Sequence, residues 1–254
     1  MAIPTSVQDS ARSLMTPSAL THFLTQVRLF QGLAENELQD VAERVRPCRV
    51  EQGHFFFRQE DPATTLYVLN QGKLRLTQLT PDGQQVLLRF FLPGEMLGAV
   101  AALSESTYPA SAQAVEDCLA LAWAGPTIAQ LMERYPRLAL NALHLLTGRI
   151  RELQDSYREL ATERVERRVA RAVLRLVRQV GRKIERGVLL DLPLSRQSLA
   201  EMTGTNLYQV SRILSQWEQR GLIEAGRERI LIRFPHGLVA VAEDLPPAPL
   251  SPEL

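Results

Sequence analysis

Four polar side chains in the C-terminal third of the chain have the types and spacing that suit reading of DNA bases. Tyr208, Gln209, Ser211 and Arg212 flank the apolar Val210, so on a helix they would face away from a buried stripe. A guanidinium donates two parallel hydrogen bonds to O6 and N7 of guanine, and hydroxyl and amide groups bond other base edges. The pattern predicts base recognition from the N-terminal end of a helix.

A helix-turn-helix is the element that would position these side chains, and residues 195–214 predict one. Ser195 is a residue type that caps helix N-termini, and Gly204 suits a turn that needs a positive φ. Ala200 is small where two helices must approach closely. An ordinary corner between two helices is the alternative interpretation. DNA binding is favoured over it by the apolar residues that recur at helical spacing in both segments: Leu199, Met202, Val210, Ile213 and Leu214.

Charge is distributed unevenly along the chain. The 254 residues have a formal net charge of +1, with 45% hydrophobic and 22% charged residues, as expected for a globular protein of two modest domains. Residues 164–233 hold 15 Lys/Arg against 7 Asp/Glu, so the remainder carries −7. This split fits a sensing domain joined to a phosphate-binding domain. A solvated charged helix at 163–186 is the alternative, but it does not account for the motif that follows.

The sequence carries no recognisable signal for membranes, metals or catalysis. No window approaches 18 uncharged apolar residues and the N-terminus lacks a secretory pattern, so we expect a cytoplasmic protein without membrane contact. Cys48 and Cys118 are too few for a four-thiolate cluster and form no Cys-x-x-Cys pair. Two small buried thiols are the simpler interpretation, and a redox role is the alternative. Motifs of hydrolases, metalloproteases and phosphate loops are missing from the sequence, so no enzymatic activity is predicted.

The N-terminal half predicts a β-rich sensor domain. Residues 18–46 have helical spacing, and from Cys48 to about Ala124 short β-rich runs alternate with turn residues. Such a pattern is typical of an antiparallel β-roll or jelly roll, in which Ala112–Ala122 is expected to form one strand. The predicted fold class is therefore α+β. The predicted divisions are a flexible leader (1–17), a β-roll effector-sensing domain (18–135), a dimerisation helix (136–163), a winged helix-turn-helix DNA-binding domain (164–235) and a Pro-rich tail (236–254).

A long helix with an apolar seam follows the β-rich region. Its polar intervening positions indicate a helix that is otherwise solvated and needs a partner. Pairing with the same helix of a second chain is favoured, and packing on its own barrel is the alternative. The seam residues are spaced 3, 4, 3, 4 and 3 apart: Leu143, Leu146, Ile150, Leu153, Tyr157 and Leu160.

The end of the chain predicts a winged helix. Residues 162–168 read as a hinge into a new amphipathic helix, and 187–194 read as a strand before the helix-turn-helix. A β-hairpin of residues 221–226 and 229–233 follows the motif, as in winged-helix domains. Arg227, at the turn of this hairpin, is a candidate phosphate contact.

Together these elements resemble the CRP/FNR superfamily of bacterial transcription regulators over about residues 25–235. Besides the helix-turn-helix, the resemblance is carried by the Gly94–Gly98 turn (Gly-Glu-Met-Leu-Gly) and by the run Tyr108–Ala114 (Tyr-Pro-Ala-Ser-Ala-Gln-Ala). It implies an effector-responsive homodimer that binds double-stranded DNA at a palindromic operator, acts as activator or repressor, and contacts RNA polymerase.

The resemblance also implies roles on the DNA side. FNR-like members read their half-site with a Glu-x-x-Ser-Arg pattern, which Ser211 and Arg212 match, whereas Tyr208 replaces the glutamate. A tyrosine cannot replace a carboxylate as acceptor from cytosine N4, so we expect the half-site to keep its guanine and to differ at the other base. Arg196 and Gln197 match family positions that contact phosphate. The predicted DNA contacts are Arg196, Gln197, Asn206, Tyr208, Gln209, Ser211, Arg212 and Arg227.

The predicted effector pocket departs from that of cyclic-AMP-binding members. In those members an arginine and a small hydroxyl residue after the Gly-Glu turn hold the cyclic phosphate. The corresponding stretch, Tyr108–Ser111, has no arginine, so cyclic AMP binding is disfavoured and the FNR-like or nitric-oxide-responsive branch is favoured. The same gap disfavours the alternative function, a cyclic-nucleotide-binding signalling module whose winged helix binds protein. The predicted pocket residues are Gly94, Glu95, Gly98, Tyr108 and Ser111.

Other effector chemistries differ in what they require of the sequence. An oxygen-sensing iron–sulfur cluster is disfavoured because residues 1–30 contain no cysteine. A haem-based gas sensor stays open as an alternative. Its candidate ligands, by chemistry alone, are His22, His54 and His144, for each of which a surface or core role is the simpler interpretation.

Overall fold

The computed structural model describes residues 16–99, 106–190, 192–226 and 229–246, and the chain divides into two compact units, 1–152 and 153–254. In the first unit, helices flank a set of short strands. The elements are α1 (Pro17–Gln26), α2 (Glu35–Glu43), β1 (Arg46–Val50), β2 (Phe55–Phe57), β3 (Thr65–Gln71), β4 (Leu74–Leu79), β5 (Gln85–Phe91), β6 (Met96–Leu97), β7 (Ser111–Ala114), β8 (Cys118–Ala124) and α3 (Gly125–Arg134).

The strands form two four-stranded antiparallel sheets, with the orders β1-β8-β3-β6 and β2-β7-β4-β5. Tyr67 pairs with Ala122 in the first sheet, and Leu74 pairs with Ala114 in the second. Apolar residues of both sheets form one core cluster. The predicted antiparallel sensor fold is confirmed, but Ala112–Ala122 is not one strand. It breaks at 115–117, where Glu116 and Asp117 interrupt the apolar pattern, and β7 and β8 belong to different sheets.

A second core cluster joins the first sheet to the helices. Trp123 of β8 is fully buried, and its indole N–H donates to the carbonyl of Val41 in α2 at 3.0 Å. Residues 1–15, most of the predicted leader, lie outside the described residues. Thr16 caps α1 by accepting from the amide of Ala19 at 3.2 Å, so Pro17 belongs to a helix rather than to the leader.

The helix α4 (Pro136–Thr162) contains the predicted seam. At its start, Leu138 and Ala142 are buried in the core cluster of the first unit. The amide nitrogen Nδ2 of Asn141 donates to the carbonyls of Leu29 and Gln31 at 2.9 and 2.8 Å, which fixes this part of the helix to the segment after α1.

The second unit contains the predicted winged helix, with a sheet of order β11-β12-β10-β9. Its helices pack on a core that includes Val173 and the fully buried Trp217. The indole N–H of Trp217 donates to Glu166 Oε1 at 2.9 Å. Its elements are α5 (Val165–Val180), β9 (Gly181–Ile184), β10 (Gly187–Leu190), α6 (Arg196–Thr203), α7 (Leu207–Gln219), β11 (Ile223–Ala225), β12 (Ile230–Ile232) and α8 (Pro235–Glu243).

Two expectations for this unit are corrected by the structure. The predicted tail does not begin at residue 236, because residues 235–243 form α8, whose Leu238 is fully buried. Pro235 begins that helix, where its missing N–H costs nothing, and the dense prolines start only at Pro246. The strand expected over 187–194 ends at residue 190. Among the described helices, none is both long and apolar enough to cross a membrane.

Candidate functional site

The helix-turn-helix is built by caps and one glycine. Ser195 caps α6 by accepting from the amide of Ser198 at 3.0 Å. Gly204 ends this helix in the left-handed conformation, with φ 59° and ψ 43°. Asn206 Oδ1 then accepts from the amide of Gln209 at 2.9 Å and caps α7. Asn206, a predicted DNA contact, is therefore the residue that starts the second helix.

The two sides of α7 differ as the spacing predicts. Its inner side is buried and consists of Val210, Ile213, Leu214 and Trp217. On the outer side, Tyr208 is 77% exposed and Arg212 is also exposed, and neither makes a hydrogen bond or ion pair with a described residue.

Other predicted DNA contacts have partners within the unit or lie outside the described part. Gln209 Oε1 accepts from Thr205 Oγ1 at 2.8 Å, and Gln197 Nε2 donates to Glu201 Oε1 at 3.1 Å. Ser211 and Arg196 are both half-buried. Arg227 lies outside the described residues. The structure thus brings Tyr208, Ser211 and Arg212 to the first two turns of one helix.

The sequence did not point to the residue that holds the turn itself. Arg168, in α5, donates from its guanidinium to the carbonyls of Thr203 and Gly204 at 3.0 and 3.2 Å. These contacts span 35 and 36 positions of sequence, so no local pattern signals them.

The seam of α4 leaves a row of apolar side chains uncovered. Leu153 is 70% exposed and Tyr157 is 76% exposed, whereas Leu146 is half-buried. Leu143, Ile150 and Leu160 each expose about half of their surface. Large apolar side chains in this arrangement are typical of an interface.

Glu95, a predicted pocket residue, lies between two arginines. Its Oε1 accepts from Arg89 Nη2 of β5 at 2.5 Å and from Arg149 Nη2 of α4 at 2.7 Å. Its Oε2 accepts from the amide of Leu92 at 2.8 Å. Burial lowers the pKa of the Arg89 guanidinium, and the nearby Glu95 carboxylate opposes that change. Both oxygens of Glu95 are therefore engaged, and the cluster of two cations and one anion is cationic.

The other predicted pocket residues serve the scaffold. Tyr108 is buried, donates its hydroxyl to the carbonyl of Thr65 at 2.8 Å, and stacks on Phe57 with ring centroids 3.8 Å apart. Ser111 Oγ accepts from the amide of Gln59 at 2.9 Å. A Cβ at Gly98 would lie 2.8 Å from the carbonyl of Thr65. Glu95 thus differs from Tyr108, Ser111 and Gly98, whose contacts are explained by packing.

Gly94, the remaining pocket residue, shapes the turn before Glu95. It has a φ of 86°, and its amide donates to the carbonyl of Leu69 at 2.7 Å. A left-handed φ of this kind favours glycine. Gly94 thereby places Glu95 at the end of β5.

Histidines and thiols in the described chain do not assemble into a metal site. His22, His54 and His144 are all exposed and belong to α1, the turn before β2 and α4. No group of three or more His, Cys, Asp or Glu in the described residues is arranged to hold a metal ion. Burial raises the pKa of Cys48 and of Cys118 to about 11, which disfavours the reactive thiolate.

Comparison with known proteins identifies both units. Residues 47–135 match the family model of a cyclic nucleotide-binding domain, and residues 167–241 match that of a Crp-like helix-turn-helix domain. The cyclic AMP receptor protein of Thermus thermophilus is 33% identical over 205 residues, which cover 81% of this chain and 92% of that protein. The chain belongs to the CRP/FNR superfamily of transcription regulators.

Other members of the CRP/FNR superfamily match a similar extent of the chain. The transcriptional activator protein anr of Pseudomonas aeruginosa is 27% identical over 207 residues, or 82% of this chain and 84% of that protein. The structure of FixK2 from Bradyrhizobium japonicum has a TM-score of 0.68 at 22% identity, covering 78% of this chain and 96% of that chain. This last likeness shows a shared fold.

Proposed function

We propose that the protein is a homodimeric regulator that binds a palindromic DNA operator through α7. The proposal is carried by the outer side of α7, where Tyr208 and Arg212 are exposed and unpaired within the described chain. The caps and the buried side of the helix hold these groups in place without using them. A cationic fork and a phenol on the first two turns of such a helix fit the edge of the major groove.

The roles within the interface follow from the chemistry of each group. Arg212 reads a guanine by a bidentate contact, and Ser211 and Tyr208 contact neighbouring base edges. Arg196 and Gln197, at the start of α6, contact the DNA backbone and orient the protein. Arg227 in the wing adds a phosphate contact. Asn206 has a double role, because its Oδ1 caps α7 while its NH₂ group is free to donate to a phosphate.

Dimerisation through α4 accounts for the uncovered seam. Two copies of the helix, packed in parallel, would bury Leu153 and Tyr157, which are otherwise 70% and 76% exposed. Two-fold symmetry of the protein then requires a two-fold symmetric operator. RNA polymerase is the further partner that we propose for the DNA-bound dimer.

We place the effector site beside Glu95. This carboxylate is bonded by Arg89 and Arg149, so β5 and α4 meet there through charge. A ligand that competes for the two guanidinium groups would change how α4 is held. An anionic effector fits this cluster better than a sugar hydroxyl, because both oxygens of Glu95 already accept hydrogen bonds.

Selection from a pool of random duplexes tests the proposal. We expect a palindromic sequence whose half-sites are one helical turn apart, roughly 10–10.5 base pairs from centre to centre. A single unpaired half-site would contradict the dimer, and the lack of any enriched sequence would contradict base reading by α7.

A further inference from the structure

The guanidinium of Arg168 bonds the ends of two helices in the second unit. Its Nε donates to the carbonyl of Thr203 at 3.0 Å, and its Nη2 donates to that of Gly204 at 3.2 Å. Its Nη1 donates to the carbonyls of Glu163 and Leu160 at 3.3 and 3.4 Å. We call this arrangement the carbonyl clamp. It holds the turn of the helix-turn-helix and the end of α4 at the same time.

The clamp occupies positions that helices leave without partners. The last four carbonyls of an α-helix have no intrahelical donor, and the negative end of the helix dipole attracts a cation. Thr203 is the last residue of α6, and Thr162 is the last of α4. A planar fork with five donors can span both ends, whereas a lysine ammonium is a compact charge with three donors.

Further contacts reinforce the clamp. The buried Glu159 of α4 accepts from Arg175 Nη1 of α5 at 2.9 and 3.0 Å. A Cβ at Gly204 would lie 2.5 Å from Leu160 Cδ2, so the last turn of α4 packs directly on the turn between α6 and α7. These contacts make the end of α4, α5 and the turn a single block.

We propose that Arg168 is a positioning residue for base recognition, which fixes the turn before α7 to the end of α4. This inference rests on the proposed DNA-binding function. The turn is followed at once by Asn206, which caps α7, so a displaced turn displaces Tyr208 and Arg212. Base contacts depend on that placement, whereas contacts to the phosphates carry no sequence information.

The DNA-binding test compares Arg168→Met with Arg178→Met. Arg178 is exposed on the same helix and makes no hydrogen bond or ion pair with a described residue, so it is a matched loss of charge. We expect Arg168→Met to lower the ratio of operator affinity to random-DNA affinity by about tenfold. Arg168→Lys should restore part of that ratio, because it keeps the charge and some donors. Arg178→Met should leave the ratio unchanged.

Amide hydrogen exchange on the full-length protein without DNA provides a second readout. Arg168→Met should speed exchange at Gly204 and Thr205 and at Glu163, while amides in the middle of α5 keep their rates. Equal acceleration throughout the unit would mean a purely structural role and would overturn the proposal, as would an unchanged affinity ratio. If the wild type selects no operator, the proposed function fails, and the exchange result alone decides whether Arg168 holds both helix ends.

Discussion

Arg212 and Arg196 carry the same charge in different surroundings, and we expect them to contribute differently to DNA binding. Arg212 is exposed on α7, so Arg212→Ala should weaken binding and flatten the preference at one symmetric base pair, at a cost of roughly 1–3 kcal/mol in discrimination. Arg196→Ala should weaken binding to all sequences alike. Selection from random duplexes with the wild type and both variants measures the two effects.

The salt dependence of binding provides a control for these roles. Loss of one phosphate contact in each protomer should make the slope of log K against log salt shallower by about one per contact for Arg196→Ala. An unchanged sequence preference in Arg212→Ala, or a change at a single position in Arg196→Ala, would show that the roles are assigned wrongly.

The contacts of Glu95 predict weak or no binding of cyclic AMP. Both of its carboxylate oxygens accept hydrogen bonds from Arg89, Arg149 and the Leu92 amide, and Tyr108–Ser111 offers no arginine for the phosphate. We expect titration calorimetry of the wild-type protein with cyclic AMP to show no micromolar affinity.

A matched variant makes the cyclic AMP experiment decisive. If micromolar binding is found and Arg89→Met abolishes it, the prediction is wrong and Arg89 supplies the cationic partner of the phosphate. Arg75 lies on the neighbouring strand β4 and is bonded to Gln113 at 2.7 and 2.9 Å, so Arg75→Met removes an arginine from the same sheet as a control.

At the scale of elements, the seam of α4 predicts what holds two protomers together. Ile150→Glu with Leu153→Glu places two charges on side chains that are more than half exposed in the protomer, so the protomer should still fold. A parallel helix pair would have to bury those charges, so we expect a monomer in light scattering and a loss of operator binding.

Charge alone must be separated from position on the helix. Arg151→Glu with Gln154→Glu changes two exposed polar residues of the same turns and should leave the dimer intact. A double variant Ile150→Glu/Leu153→Glu that scatters light as a dimer would rule out this seam as the interface.

Elements that depend on local patterns could be predicted, and contacts between distant segments could not. Gly204 and Ser195 mark the ends of α6 through backbone rules that the sequence displays. In contrast, Arg149 lies 54 positions from Glu95, so nothing in the local spacing points to their pairing. Tyr108 was expected in a pocket, but its hydroxyl bonds the backbone of Thr65, because a buried phenol needs an acceptor.

The C-terminal helix shows how composition can mislead. Prolines at 246–252 suggested that the whole end of the chain lacked structure, although 236–243 contains only one histidine and one glycine among apolar residues before its final Glu243. Leu238 and Ala242 are buried, and Arg167 and Arg171 of α5 donate to the carbonyl of Ala242 at 3.3 and 3.2 Å. The domain therefore ends after α8.

For the whole molecule, the surplus of eight positive charges in 164–233 overstates the charge that can meet DNA. Arg171 and Arg175 of α5 are paired with Glu159 of α4, which lies outside that range. Counting Arg196 and Arg227 in each protomer, about four phosphates are neutralised, and the slope of log K against log salt should be about −4. A slope near −14, expected if the whole surplus of both protomers were used, would show a much larger footprint.

Trp123 and Trp217 give each unit an optical reporter of its own. They are the two tryptophans of the sequence, both are fully buried, and each donates its indole N–H within its own unit. In Trp217→Phe the fluorescence follows only the first unit during urea unfolding, and in Trp123→Phe it follows only the second. Because the cores are separate, we expect different midpoints, whereas coincident curves would mean that the units melt as one cooperative body.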